Sequence, residues 1–351
     1  MKKAVSILTA ACLALSLAAC SSGSPSSAAA DPSSTSDTSE SSSAETAEDT
    51  GTDASAAAYT IGICQQQPHE ALDAATQGFK DALVEAFGED GVTFDEQNAQ
   101  GDSNTCATII NGFVSGGYDL IMANGSSALQ AAAAGTADIP ILGTSVTEYG
   151  VALGIDGFDG TVGGNVSGTS DLAPLDQQAQ MLADFFPADQ YPTVGMLYCS
   201  AEPNSAYQVE QVTNYLTEMG YTVEDYSFSD SNDLATIATN ASTSCDVLYI
   251  PTDNTAASNT EIIQNICLPA GVPIIAGEQG ICSGCGVATL SISYYDLGYA
   301  TGEMAVQVLT GEADISTIPI EYAPNFTKMY NPSNCEALNI TVPDDYVAIE
   351  G

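Results

Sequence analysis

Hydroxyl, amide and carboxylate side chains follow most of the apolar segments that the sequence predicts as β-strands. Such side chains bind small polar molecules through hydrogen bonds, and a carboxylate among them can bind an ammonium group. The candidate ligand-binding residues in the first half of the chain are Gln65, Gln66, Asn124, Ser126, Ser127, Thr144, Ser145 and Thr147. Those in the second half are Asn204, Ser205, Asp253, Asn254, Glu278 and Tyr294.

A ligand anion would have to be bound without arginine, because the chain contains none. The hydroxyl pairs at 126–127 and 144–145 lie close to predicted helices. Their hydroxyls and the N–H groups of a helix N-terminus could therefore converge on one carboxylate. Asp253 and Glu278 would approach from the other side and could bind an ammonium group. Each of these residues could instead be a helix N-cap, and the sequence leaves that alternative open.

No set of residues forms a recognisable catalytic or metal-binding motif. His69 is the single histidine, a GxSxG sequence is absent, and the glycine-rich segment 160–168 lacks the lysine of a phosphate-binding loop. Cys282 and Cys285 have CxxC spacing, but neither a second CxxC nor a later histidine accompanies them. We therefore predict a protein that is not an enzyme and that uses no cofactor and no metal.

Two successive runs of apolar strands, alternating with amphipathic helices, predict the fold. Strands that are apolar on both faces favour parallel sheets covered by helices on both sides. The predicted strands are 59–64, 92–96, 119–123, 139–143 and 166–170, and then 193–198, 222–226, 246–251, 272–277 and 288–293. We predict an α/β fold of two doubly wound parallel-sheet lobes, joined by a hinge that the chain crosses several times.

The lobes are predicted to exchange a segment near the C-terminus. The first lobe is predicted to contain 59–172 and about 294–314, because the helical pattern at 296–310 would pack back on it. The second lobe is predicted to contain 173–293 and about 315–351. Ligands of open parallel sheets bind beyond the carboxyl ends of the strands, which places the candidate residues in the cleft between the lobes.

The first 57 residues predict export and a membrane tether. Two lysines precede an apolar stretch that ends in LAAC at 17–20, a pattern that resembles the lipobox of bacterial lipoproteins. We predict a lipoprotein signal peptide at 1–19, lipidation of Cys20 and a lipid-anchored disordered linker at 20–57. The protein would then lie on the extracytoplasmic face of the cell membrane. A secretion signal that is cleaved nearby is the alternative.

Charge and cysteine content limit the partners. The chain carries 45 acidic residues against four lysines, so it lacks the basic surface that a nucleic acid requires. An even number of cysteines in an exported chain favours disulfides, whereas free thiols in an anaerobic habitat are the open alternative. The eight cysteines beyond Cys20 are Cys64, Cys106, Cys199, Cys245, Cys267, Cys282, Cys285 and Cys335.

Several blocks of the chain resemble one family, the solute-binding lipoproteins of ABC importers that include tryptophan- and tyrosine-binding members. The blocks are TIGICQQQPHEALDAATQGFKDAL (60–83), NAQGD (98–102), IPILGTSVTEYGVALG (139–154), GGNVSGTSDLAP (163–174), EPNSAYQVE (202–210) and SYYDLGYATGEMAVQVLTGE (293–312). The resemblance implies a type I periplasmic-binding fold, lobe closure on an aromatic amino acid and delivery to a membrane permease. Cys199 and the pair Glu148 and Tyr149 depart from the residues usual in the family.

These features favour a monomeric transport receptor that captures a small ligand by closing its lobes. A ligand-sensing receptor on the same fold and a binding protein for a solute other than an amino acid are the alternatives. A surface hydrolase is a third class, which the absence of a catalytic set disfavours.

Overall fold

The computed structural model describes residues 59–350, which contain two separate β-sheets. Five parallel strands lie in the first sheet in the order β2-β1-β3-β4-β5. They are β1 (Tyr59–Gln65), β2 (Val92–Asn98), β3 (Leu120–Asn124), β4 (Ile141–Thr144) and β5 (Val166–Ser170). The helices that connect them are α1 (Glu70–Phe87), α2 (Ser103–Gly116), α3 (Ser126–Gly135) and α4 (Tyr149–Leu153).

The second sheet repeats this plan, with its parallel strands in the order β10-β9-β8-β6-β7. They are β6 (Thr193–Cys199), β7 (Thr222–Phe228), β8 (Val247–Ile250), β9 (Ile274–Ala276) and β10 (Ala288–Ser291). The helices of this lobe are α5 (Leu175–Phe185), α6 (Pro203–Glu218), α7 (Ser231–Ser244), α8 (Asn254–Ala257), α9 (Thr260–Ala270) and α10 (Gln279–Gly284). The predicted α/β fold with two parallel-sheet lobes is confirmed.

The C-terminal segments cross between the lobes. Helix α11 (Tyr294–Thr310) packs along α1 of the first lobe. The short strand β11 (Glu321–Tyr322) then pairs with β5, so the chain stays with the first lobe until residue 322 and not only to about 314. Strand β12 (Thr327–Tyr330) pairs antiparallel with β10, and the helix α12 (Pro332–Ala337) and the strand β13 (Val347–Ala348) follow it in the second lobe.

Apolar side chains cover both faces of each parallel sheet, as the continuous hydrophobic runs require. In the first lobe Ile61 and Ile63 pack with Phe79 of α1, whereas Ile121 on the opposite face packs with Phe113 of α2. All of these side chains are fully buried. The predicted signal peptide, Cys20 and the linker 20–57 lie outside the described residues. No helix between residues 59 and 350 has the length and hydropathy that a membrane span requires.

Helices α1 and α11 pack at backbone distance because glycines lie between them. A Cβ atom on Gly298 would overlap the carbonyl oxygen of Ala75, and one on Gly78 would overlap the carbonyl oxygen of Tyr295. A Cβ on Gly302 would likewise press against Ala82. The close approach fixes α11 on the first lobe, and with it the hinge crossing that enters this helix at Tyr294.

The variant Gly298→Ala should therefore be strongly destabilised. Its new methyl group meets backbone of α1, which cannot rotate away as a side chain could, so we expect a loss of at least about 1–3 kcal/mol in unfolding free energy. Denaturant-induced unfolding followed by circular dichroism measures this loss. Gly112→Ala is the control, since a Cβ there meets nothing within 4 Å and alanine favours the helix. Equal stability of the two variants would contradict the close-packing argument.

Candidate functional site

The loops at the carboxyl ends of both sheets meet in a cleft between the lobes. Helix α4 of the first lobe contacts α6 of the second, and α1 contacts α10, so the lobes touch across the cleft. Thirteen of the fourteen predicted ligand-binding residues are buried here, and Ser127 is half-buried. The structure thus places them at the expected strand ends, while their contact with a ligand stays a prediction.

Several buried polar atoms in this cleft lack a hydrogen-bond partner. In the described residues these include Asn124 Oδ1, Ser145 Oγ, Asp171 Oδ1, Asn204 Oδ1 and His69 Nδ1. Buried polar groups are nearly always hydrogen-bonded, and each unpaired one costs about 1–3 kcal/mol. Ser145, Asp171 and His69 follow strands, Asn124 ends β3 and Asn204 lies in the first turn of α6, so the unpaired atoms lie at the carboxyl ends of the strands and make the cleft the candidate binding site.

At the end of β3, the predicted hydroxyl pair lies at the start of α3. Ser126 and Ser127 donate no side-chain hydrogen bond to any described residue, so both hydroxyls remain free to bind a ligand. The backbone N–H of Ser127, in contrast, donates to Gln66 Oε1 at 2.9 Å. Asn124 uses its amide nitrogen on Leu72 O at 2.8 Å and keeps its oxygen unpaired. The hydroxyls and not this N–H group are therefore the available donors.

At the end of β4, Ser145 has a strained backbone conformation. Its φ of 53° lies in the left-handed region, which is costly for a residue other than glycine, and its buried hydroxyl has no partner. The hydroxyl of Thr144 is instead shared with Thr169 at 3.1 Å, and Thr169 contacts Thr301 at 2.8 Å. Thr144 thus ties β4, β5 and α11 together within the first lobe.

Two of the predicted carboxylates are helix N-caps, the alternative that the sequence left open. Asp253 accepts hydrogen bonds from the N–H groups of Cys199 at 2.6 Å and Ala256 at 2.8 Å, and it caps α8. Glu278 accepts from the N–H groups of Gly280 and Ile281 and caps α10. Burial raises the pKa of each to about 7. Their oxygens already serve the backbone, so neither is well placed to bind an ammonium group.

A carboxylate that sequence reasoning missed is better placed. Asp171 directly follows β5, is buried, and accepts from the hydroxyl of Tyr294 at 3.0 Å through Oδ2 while Oδ1 is unpaired. Burial raises the pKa of Asp171, and hydrogen bonds from Thr147 and Tyr294 partly oppose the rise. The strand-end rule would have found Asp171 had the segment 166–170 been treated as a binding strand and not only as a crossing.

Glu202 was also missed, although it lies in the polar loop after β6. One of its oxygens accepts from the N–H and the hydroxyl of Thr255, at 2.9 and 2.7 Å. The other accepts from the N–H and the side-chain amide of Asn254, at 3.1 and 2.7 Å. The carboxylate thereby fixes the first turn of α8. No local sequence pattern predicts a contact between residues so far apart in the chain.

Gln65, Asn204 and Ser205 use their side chains mainly for hydrogen bonds and packing within their own lobes. Gln65 donates to Asp73 at 2.6 Å and accepts from Thr76 at 2.7 Å, so its amide is used inside the first lobe. Asn204 donates to Thr252 O at 3.0 Å and leaves its own oxygen unpaired, and Ser205 lies beside it, fully buried.

The cysteines of the described residues are unpaired. All eight between residues 59 and 350 are buried free thiols, which matches the free-thiol alternative. Burial raises the pKa of Cys285 of the CxxC pair far above its ordinary value, so this thiol is not activated. No group of three or more His, Cys, Asp or Glu side chains in the described part of the chain is arranged to bind a metal ion.

Two α/β lobes that enclose a buried polar cleft define a binding protein of the type I periplasmic fold. Residues 60–349 match the family model described as ABC transporter substrate binding protein. A tyrosine-binding protein of Clostridioides difficile is 35% identical over 282 residues, which cover 80% of this chain and 81% of that protein. The chain therefore belongs to the ABC transporter substrate-binding protein family.

Solved structures agree with this assignment and bear on the state of the lobes. A Streptococcus protein in complex with L-Trp is 31% identical and has a TM-score of 0.77, with 82% of this chain and 97% of that chain covered. A ligand-free, open substrate-binding protein of Clostridium difficile is 36% identical, with 83% and 100% covered, yet its TM-score is 0.63. The more similar sequence thus has the less similar structure, and the contacts between the lobes described above indicate that the cleft of this chain is closed.

Buried Glu278 predicts a pH dependence of stability. Its pKa is about 7 in the folded chain, through burial first and with smaller contributions from Glu70 and Asp171, whereas an unfolded chain has a pKa of about 4.3. The folded state thus binds more protons between these values, so Glu278 reduces stability as the pH rises through about 7. We expect the melting temperature to fall between about pH 5 and pH 8.

The variant Glu278→Gln should have a flatter pH profile than the unaltered chain, measured by calorimetry across the same range. Asp102→Asn is the control, because Asp102 is an exposed N-cap whose pKa its hydrogen bonds lower. This substitution should leave the slope above pH 5 unchanged. A Glu278→Gln profile as steep as that of the unaltered chain would show that Glu278 is ionised throughout.

Proposed function

We propose that this protein is the lipid-anchored extracytoplasmic receptor of an ABC importer and captures an aromatic α-amino acid by lobe closure. The observation that carries the proposal is the set of unpaired buried polar atoms in the closed cleft, above all Ser145 Oγ and Asp171 Oδ1. Family membership supports the transport role, and the LAAC pattern at 17–20 supports the anchor and delivery to a permease at the membrane.

The order of the strands fits the two charged groups of an α-amino acid. Ser126, Ser145 and Asp171 follow β3, β4 and β5, which are neighbours in the sheet. Adjacent strands lie about 4.8 Å apart, so hydroxyl donors and the carboxylate acceptor stand side by side. The hydroxyls suit the ligand carboxylate and Asp171 suits the ammonium group, and one carbon atom separates these two groups in every α-amino acid.

The proposal that the ligand has an aromatic side chain is supported by the relatives. One relative is named a tyrosine-binding protein, and one structural neighbour contains L-Trp. The proposal would therefore be tested first by thermal-shift screening of the full chain against all amino acids, common sugars and nucleosides. A ligand at 100 times its dissociation constant adds about 2.7 kcal/mol of stability, which a shift of a few degrees reports. Shifts confined to sugars or nucleosides would refute the amino-acid assignment.

Substitutions of the residues assigned to the ligand carboxylate and to the ligand ammonium group should have separable effects on affinity. The double variant Ser126→Ala with Ser127→Ala should bind L-tyrosine at least about tenfold more weakly, because two donors to the ligand carboxylate are lost. Asp171→Asn should weaken binding by about the same factor or more, since a buried charged partner of the ammonium group is lost. Isothermal titration calorimetry measures both effects.

Matched ligands provide the control for these variants. Tyramine lacks the carboxylate, so the serine substitutions should not weaken its binding further. The deaminated analogue 3-(4-hydroxyphenyl)propanoate lacks the ammonium group, so Asp171→Asn should not weaken its binding and should remove a repulsion. Equal losses for all three compounds would mean that the variants disturb the fold and do not contact the ligand groups assigned to them.

A further inference from the structure

The rim of the cleft holds a direct hydrogen bond between the lobes. His69, which precedes α1, contacts Asn254 Oδ1 of α8 through Nε2 at 3.0 Å. Beside it, the hydroxyl of Ser258 donates to the backbone oxygen of Pro68 at 3.0 Å. Among residues 59–350 these two hydrogen bonds join the strand-end loop of β1 to the second lobe. They exist only while the lobes are in contact.

The second lobe determines which groups this contact uses. The amide nitrogen of Asn254 donates to Glu202 Oε2 at 2.7 Å, so the amide oxygen must face His69 as an acceptor. His69 must then carry a proton on Nε2. Glu202 also accepts from the N–H of Asn254 at 3.1 Å, which leaves this side chain little freedom. Both hydrogen bonds lie within the second lobe, so they orient Asn254 independently of the contact with His69.

The surroundings of His69 in the first lobe favour the neutral form of its ring. Burial lowers the pKa of His69, and the hydrogen bond to Asn254 and the carboxylates of Glu202 and Asp73 only partly oppose this effect. With its proton on Nε2, the ring has a bare acceptor at Nδ1, which is buried and has no partner among the described residues. A fully exposed histidine would have neither a pKa lowered by burial nor a buried ring nitrogen without a partner.

We infer that His69 and Asn254 form a latch that positions the two lobes in the ligand-bound arrangement, with Glu202 orienting Asn254 for the contact. This inference rests on the proposed function, because it assigns the two residues a share of the binding energy. The latch forms only in the closed state. It therefore lowers the free energy of that state and tightens the apparent affinity through a contact between the lobes.

The test uses the full chain and titrates L-tyrosine and L-tryptophan by calorimetry. His69→Ala and Asn254→Ala should each weaken binding about five- to tenfold, the loss expected for one buried hydrogen bond. The double variant should be no weaker than the weaker single variant, because both substitutions break the same contact. His69→Gln should recover affinity to within about twofold, because its amide nitrogen donates from a position close to Nε2.

Asn259→Ala is the matched control. This asparagine lies close to Asn254 but donates only to Thr255 O at 2.8 Å, inside the second lobe, so its loss should leave affinity unchanged. Additive losses in the double variant, or failure of His69→Gln to recover binding, would overturn the latch. Melting temperatures of all variants show whether a loss of binding is a loss of fold.

Small-angle scattering and a second titration separate a failed latch from a failed ligand assignment. At a ligand concentration that half-saturates the unaltered chain, the His69→Ala chain should have a larger radius of gyration, because a smaller fraction of it is closed. If the unaltered chain binds neither amino acid, the proposed function fails. The latch is then tested with the compound that gives the largest thermal shift in the screen: a dissociation constant about five- to tenfold larger for His69→Ala supports the latch, and an unchanged one overturns it.

Discussion

Every polar group that closure buries between the lobes must find a hydrogen-bond partner, and the rest of this structure depends on that requirement. Parallel sheets place polar loops at the carboxyl ends of their strands, and two such ends face each other here. The protein meets the requirement in two ways. Glu202, Asp253 and Glu278 bind backbone N–H groups of their own lobe. Ser145 and Asp171 instead keep a polar atom without a partner in the protein, and in the proposed function the ligand supplies that partner.

The side chains that bind backbone groups of their own lobe form the rigid part of the candidate site, and those with unpaired atoms form its proposed binding surface. The carboxylates that cap α8 and α10 fix the start of each helix, and the hydroxyl chain through Thr169 holds β4 and β5 against α11. The side chains with unpaired atoms are therefore mounted on rigid supports. Rigid mounting matters because a binding group that must first be ordered loses part of its affinity to conformational entropy.

The sequence predicted the fold well because the central strands are continuous apolar runs, and all five parallel strands of the first sheet were found. The prediction from sequence was wrong where an element is too short to have a hydrophobic pattern. Strand β11 has two residues, too few for any periodicity, so the boundary near 314 was misplaced. The site was harder, because N-caps and ligand contacts use the same residue types. Only the partners of Asp253 and Asp171 in space distinguish their roles.

The charges of the cleft residues restrict the charge of the ligand that the cleft can bind. No cation lies among the cleft residues described here, whereas Asp171, Glu202 and Glu278 bring carboxylates to it. Burial raises the pKa of Asp171, so its ionised form is costly in the empty closed cleft. A ligand ammonium group would favour the ionised form and gain a strong, charge-assisted hydrogen bond, while an anion without an amine would meet repulsion. In the proposed function, closure would therefore favour a ligand that brings its own positive charge, and the absence of arginine agrees with that preference.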